Sequence, residues 1–134
     1  MPAGYSGTPL GKKLGFKQGA ALWAKAMPES VRAEIELGVR PRCVTRPAKD
    51  IPAAHLFHTN AAKLEADLKR LRPLLASDGM VWVSWPKKAA RVDTDITEDA
   101  IRAVALPMGF VDVKVCAVDE IWSGLKLVIR KALR

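Results

Sequence analysis

The chain has 134 residues, 49% of them apolar, and its 22 Lys and Arg exceed its 14 Asp and Glu to leave a formal charge of +8. That length supports one hydrophobic core and is short for two, so residues 1–134 are expected to form a single domain, and the composition excludes a disordered or fibrous chain. No run approaches the ~18 apolar residues of a membrane span, and Met1-Pro2-Ala3-Gly4 lacks the charged flank and apolar stretch of a signal peptide, which together predict a cytoplasmic protein with no membrane partner.

The first seven residues are expected to be flexible. Ser6-Gly7-Thr8-Pro9 then offers a capping hydroxyl followed by proline, which predicts a short helix carrying Leu10 and Leu14 and stopped by Gly15. Ala20-Ala21-Leu22-Trp23-Ala24 is a brief apolar run suited to a buried parallel strand. A helix follows from near Pro28 to Gly38, with Val31 and Ile35 inward, and then a strand from Val39 to Thr45 that Pro41 confines to a sheet edge. Pro47 to Pro52 reads as a loop and Ala53 to His58 as the third strand.

Asn60 caps the clearest helix, whose stripe is Leu64, Leu68, Leu71 and Leu75 and whose wetter side pairs Glu65 with Lys69. Ser77-Asp78-Gly79 is expected to turn the chain into an apolar strand, Met80-Val81-Trp82-Val83-Ser84-Trp85. Asp95 and Thr97 are alternative caps for a helix carrying Ile101, Val104 and Ala105, closed by Pro107 and Gly109. The period then changes to two: Val111, Val113 and Val115 alternate with Asp112, Lys114 and Cys116, and Leu125, Leu127 and Ile129 alternate with Lys126 and Arg130. About five residues between these runs are too few for a parallel crossover, so they form an antiparallel hairpin. The sum is an α/β fold: a three-layer Rossmann-like sandwich with a mostly parallel sheet of about six strands and an antiparallel C-terminal hairpin.

The basic residues are scattered over Lys12-Lys13, Lys69-Arg70, Lys87-Lys88-Arg91 and Arg130-Lys131, so no basic arm stands out. A net field of this sign attracts an anionic small molecule or nucleic acid without deciding between them. Cys43 and Cys116 have no His or Cys at metal-ligand spacing, and read as buried small hydrophobes in a reducing compartment, with no metal. The last strand leaves an edge to pair with another copy, so monomer and homodimer both stay open.

Gly4-Tyr5-Ser6-Gly7-Thr8-Pro9-Leu10, Lys12-Lys13-Leu14-Gly15, Val83-Ser84-Trp85-Pro86-Lys87-Lys88, Asp112 through Glu120 and Trp122 through Lys131 together resemble a bacterial domain-of-unknown-function family of small single-domain proteins. That resemblance implies identity and carries no catalytic residues. More remotely, the block from Leu71 to Trp85 and the final hairpin are similar to the late strands of S-adenosylmethionine-dependent methyltransferases, so the whole resembles a truncated fold of that kind. Such enzymes cradle the cofactor with a glycine-rich turn after the first strand and hold its ribose with an acid ending the second. Here the corresponding stretches are Ala24-Lys25-Ala26-Met27-Pro28 and Thr45-Arg46-Pro47, so S-adenosylmethionine is not expected and no cofactor is predicted.

Ligands of open parallel sheets bind outside the carboxyl ends of the strands. The residues placed there are Lys25, His58, Trp85, Lys87, Lys88, Asp119, Glu120 and Trp122. Lys87 and Lys88 suit a phosphate or carboxylate, the two indoles a planar group, and Asp119 or Glu120 a sugar or base. Each has a structural counterpart: solvated loop lysines, tryptophans filling the core rim, an acidic turn binding its own amides or clasping the two lysines. His58 has no Ser, Cys or Asp at a motif spacing, and His55 reads as structural. Ser6, Gly7 and Thr8 form either a weak anion site or a simple cap. The function these features predict is a non-catalytic Rossmann-like binding module without an intact S-adenosylmethionine site. The alternatives are an atypical methyltransferase-like enzyme acting on a small anionic or nucleotide ligand, and a nucleic-acid-binding protein.

Overall fold

A computed structural model of the chain describes residues 7–134. One six-stranded sheet, β1 (Ala21–Lys25), β2 (Arg42–Val44), β3 (Ile51–Phe57), β4 (Leu75–Pro86), β5 (Phe110–Ala117) and β6 (Trp122–Ile129), runs in the order β2-β1-β3-β4-β6-β5. The first four strands are mutually parallel, and β6 pairs antiparallel with both β4 and β5. Helices α1 (Leu10–Lys13) and α2 (Glu29–Glu36) lie on one face, and α3 (Ala61–Leu71) and α4 (Glu98–Ala105) on the other. This is the three-layer, mostly parallel sandwich with a terminal hairpin that the sequence predicts. β2 takes the edge position expected from Pro41, which immediately precedes it, while Pro52 is accommodated inside the central strand β3 at the register shift between Ile51 and Ala53.

Strand alternation builds two cores. Trp23, Ala54, Leu56, Val81, Val83, Leu125 and Leu127 meet the Leu64, Leu68 and Leu71 stripe of α3 and Ile101 of α4. Their sequence neighbours Leu22, Ala53, Phe57 and Trp82 meet Leu10 of α1, Leu14 just after it, and Val31 and Ile35 of α2. Gly11 lets α1 press against α2, since a Cβ there would stand 2.9 Å from the Ile35 carbonyl. The Trp82 indole donates to the Leu14 carbonyl at 2.7 Å, tying this short helix to the central strand.

Several local expectations are corrected. Leu75 does not extend the α3 stripe: the helix ends at Leu71, before Pro73, and Leu75 opens β4. Ser77-Asp78-Gly79 is no inter-element turn but a bulge inside β4, because Ile51 pairs with Leu75 while Ala53 already pairs with Met80. Thr97 caps α4, accepting from the Ala100 N–H at 3.0 Å, whereas Asp95 accepts from the Ala61 N–H at 2.7 Å at the start of α3. Helix α1 has Pro9 at its N-cap position with no side-chain cap, so Thr8 and Gly7 precede it without capping it; Ser6 lies outside the described residues.

The three valines of β5 do not share a face. A register shift between Asp112 and Lys114 leaves Val113 as the extra residue, so Val111 pairs with Val128 and Val115 with Leu125, whose side chains point to opposite sides of the sheet. Val113 and Val115 are 51% and 50% exposed, and the slip turns Cys116 inward to be buried beside Gly124. Cys43, expected to be buried, is half-buried on the edge strand β2, and both cysteines are free.

Candidate functional site

Strand β1 has β2 on one side and β3 on the other, so the chain leaves it in one direction and later returns in the opposite one. The crevice outside the carboxyl ends of β1 and β3 is therefore the topological switch point of the sheet, where doubly wound folds receive ligands. Lys25 ends β1 and His58 follows β3, and the structure brings both to a third residue, Asp67 of α3. His58 Nε2 donates to Asp67 Oδ2 at 2.7 Å, and Lys25 Nζ stands 3.5 Å from Asp67 Oδ1. Burial pushes the His58 imidazole below its ordinary pKa, opposed by the hydrogen bond and charge of Asp67 and reinforced by Lys25 and Lys63. A neutral ring donating through Nε2 follows, with the carboxylate held between an imidazole and an ammonium. The backbone N–H of His58 donates to the Ser84 carbonyl at 3.0 Å, which fixes the ring's origin against β4.

Asp67 is the site residue that sequence reasoning missed, and its signal was present. Leu64, Leu68 and Leu71 define the buried stripe of α3, and Asp67 falls within the same i, i+3, i+7 set, where a carboxylate needs a partner. The expectation that His58 had no acid at useful spacing is thereby corrected, because the helix brings Asp67 back over the end of β3.

The other rim residues do not converge on one pocket. Trp85 is buried in the core facing α3 and α4, whereas Trp122 is half-buried on the opposite face, edge-on to Phe57 at 5.1 Å between ring centroids. The two indoles therefore cannot clasp one planar ligand between them. Trp85, Lys87 and Lys88 line a cavity of about 460 Å³ with Val92, Ile96 and the start of α4. Asp119 and Glu120 line a separate one of about 360 Å³, facing Ser30 and Glu34 of α2.

Asp119 serves its own turn: Oδ1 accepts from the N–H groups of Ile121 and Trp122 at 2.8 and 2.7 Å. Among the described residues, neither Asp119 nor Glu120 forms an ion pair with Lys87 or Lys88. The two loops are joined instead through the backbone, Lys87 N–H to the Ile121 carbonyl at 2.8 Å. His55 is fully buried, bonded through Nε2 to Ser84 Oγ at 2.7 Å and stacked 4.3 Å from Phe57 between ring centroids, and burial drives its pKa down to about 3. It is a neutral core residue.

No protein-family model matches this chain, and a comparison with curated proteins finds no match. Among solved structures the chain is similar to an S-adenosylmethionine-dependent methyltransferase from Aquifex aeolicus, with a TM-score of 0.59, 12% identity and 88% of this chain and 86% of that one covered. It is similar also to the Burkholderia thailandensis 1,6-didemethyltoxoflavin-N1-methyltransferase, with a TM-score of 0.60, 14% identity and coverages of 91% and 75%. The fold is methyltransferase-like. A structure described as a pericyclic reaction enzyme also matches, at a TM-score of 0.52, 9% identity and coverages of 92% and 47%. At these identities the likeness is one of architecture, and the chemistry rests on the site.

The residues at the switch point do not match a cradle for S-adenosylmethionine. After Lys25 the backbone enters the left-handed region at Ala26, with φ 56°, and Met27 and Pro28 lead directly into α2. The turn has the dihedral of a glycine but carries a methyl group, where a cofactor needs close approach to bare backbone. Beyond β2, Thr45 and Arg46 supply no carboxylate for a ribose.

Proposed function

We propose that this protein is a non-catalytic Rossmann-like binding module of methyltransferase-like fold, which takes an anionic small molecule at its carboxyl-end rim and transfers no methyl group. The observation that carries this reading is the switch-point crevice, where Lys25, His58 and Asp67 satisfy one another and Ala26 replaces the glycine of a cofactor turn. The basic side of the rim, Lys87 and Lys88 around their cavity, then supplies the attraction for an anion. The motif blocks quoted above favour placing the chain, as one domain, in the bacterial domain-of-unknown-function family. The free cysteines and the lack, among the described residues, of a helix long and apolar enough to cross a membrane fit a cytoplasmic setting.

Calorimetric titration tests the proposal. S-adenosylmethionine is expected to give no saturable heat at millimolar concentration. ADP is expected to bind, and Lys87→Gln with Lys88→Gln to weaken it about tenfold. Saturable S-adenosylmethionine binding, or transfer of its labelled methyl group to any acceptor, overturns the reading, as does ADP affinity untouched by the two substitutions.

A further inference from the structure

The opposite end of the sheet carries an opening that the rim does not explain. A cavity of about 480 Å³ lies at the amino ends of β1, β3 and β4, on the face of α1 and α2. It exists because the cover on that face is short: α1 has 4 residues and α2 has 8, and the turn at Gly15 carries the chain past the lower sheet without another helix. Phe16, Met80 and Val128 form apolar walls, with Met80 and Val128 only half-buried. The volume falls within the range of small-molecule sites, roughly 300–1,000 Å³.

The charges around it have a definite sign. Lys126 of β6 lines the cavity half-buried and, among the described residues, its side chain makes no ion pair or hydrogen bond. Its register partner on β5 is the exposed Lys114, so two like-charged residues occupy paired positions on one face of the sheet, an unfavourable pairing that a nearby anion would relieve. Lys17 is a second positive group at the wall, against a single carboxylate there, the exposed Asp78 of the β4 bulge. An apolar hollow edged by cations fits a ligand with an apolar body and one negative end.

We propose that this cavity is a second binding site, independent of the rim, for a small amphipathic carboxylate. The apolar body lies against Phe16, Met80 and Val128, and the carboxylate accepts from Lys126 and Lys17. This arrangement leaves the Lys25–Asp67–His58 cluster untouched, so the site stands or falls apart from the function proposed above.

Titration of the full chain with 2-naphthoate, followed by amide shifts in two-dimensional NMR, tests it. Saturable binding on the order of 0.1 mM is expected, with the shifts at Phe16, Lys17, Met80, Lys126 and Val128. The neutral isostere 2-naphthylmethanol should bind about tenfold more weakly. Lys126→Gln should weaken 2-naphthoate by about the same factor, and Asp78→Asn, at an exposed position that threatens no core, should strengthen it roughly threefold. Absence of saturation, shifts confined to the carboxyl-end loops, equal binding of acid and alcohol, or an unchanged affinity in both variants each overturns the proposal.

Discussion

The two faces of this sheet are built to different standards. Under α3 and α4, an eleven-residue helix and an eight-residue helix cover a core of aliphatic and aromatic side chains, with the buried Asp67–His58 pair at its carboxyl-end margin. Under α1 and α2 the cover is thinner, and that face holds the fully buried His55, bonded to Ser84, and the open cavity beside Met80 and Lys126. Apolar burial scales with the area a helix covers, so the first face supplies most of the stability and the second has room for a ligand. The two histidines repeat the contrast on a smaller scale: His58, at the rim beside α3, has a carboxylate partner, whereas His55, in the core on the thin side, has only a hydroxyl.

The strongest way to break this comparison is to cut into both faces. Leu68→Ala, at a fully buried position of α3, should cost about 3 kcal/mol, while Met80→Ala at the cavity wall should cost about 1 kcal/mol or less; equal losses in urea unfolding would remove the contrast.

A similar effect is expected from acid. His55 stays neutral in the folded state down to about pH 3, whereas in the unfolded chain it takes up a proton near the ordinary value of 6.5. Between these values the unfolded state binds more protons, so stability falls as pH falls, by about 3 kcal/mol from pH 6.5 to pH 4. His58 adds to the same slope, since its folded value is also lowered. The double variant His55→Phe with Ser84→Ala, which leaves no orphaned partner, should flatten most of this dependence in melting temperatures taken across the range. A slope unchanged in that variant would show that the thin face is not its source.

The smallest expected effect sharpens the reading of the rim. Ala26→Gly relieves a left-handed alanine and should stabilise the fold by about 0.5 kcal/mol once the greater freedom of the unfolded chain is counted. Destabilisation in denaturant melts would mean that the methyl group of Ala26 packs usefully at the turn.

Much of the architecture was legible in the residues. Leu64, Leu68 and Leu71 announce α3 because a 3.6-residue period lines them on one side, Pro41 points to an edge for the strand it adjoins, and the short stretch between the last two strands admits only a hairpin. The bulges were not legible. Whether Gly79 or Val113 turns the chain or is absorbed into a strand depends on the register of the neighbouring strand, and a one-residue slip reverses every side chain beyond it.

The site divides the same way. Lys25, His58, Trp85, Lys87, Lys88, Asp119, Glu120 and Trp122 could all be placed at one end of the sheet from strand order, because that end collects every loop leaving a parallel strand. Which of them meet was settled only in three dimensions, where the pleat sent Trp85 and Trp122 to opposite faces and the return of α3 over β3 carried Asp67 to His58 and Lys25. Sequence by itself determined the periods, caps and breaks, since these are properties of neighbouring residues along one backbone. Tertiary structure decided the partners of the buried charges and the hollow beside Lys126, since both depend on how closely one element covers another.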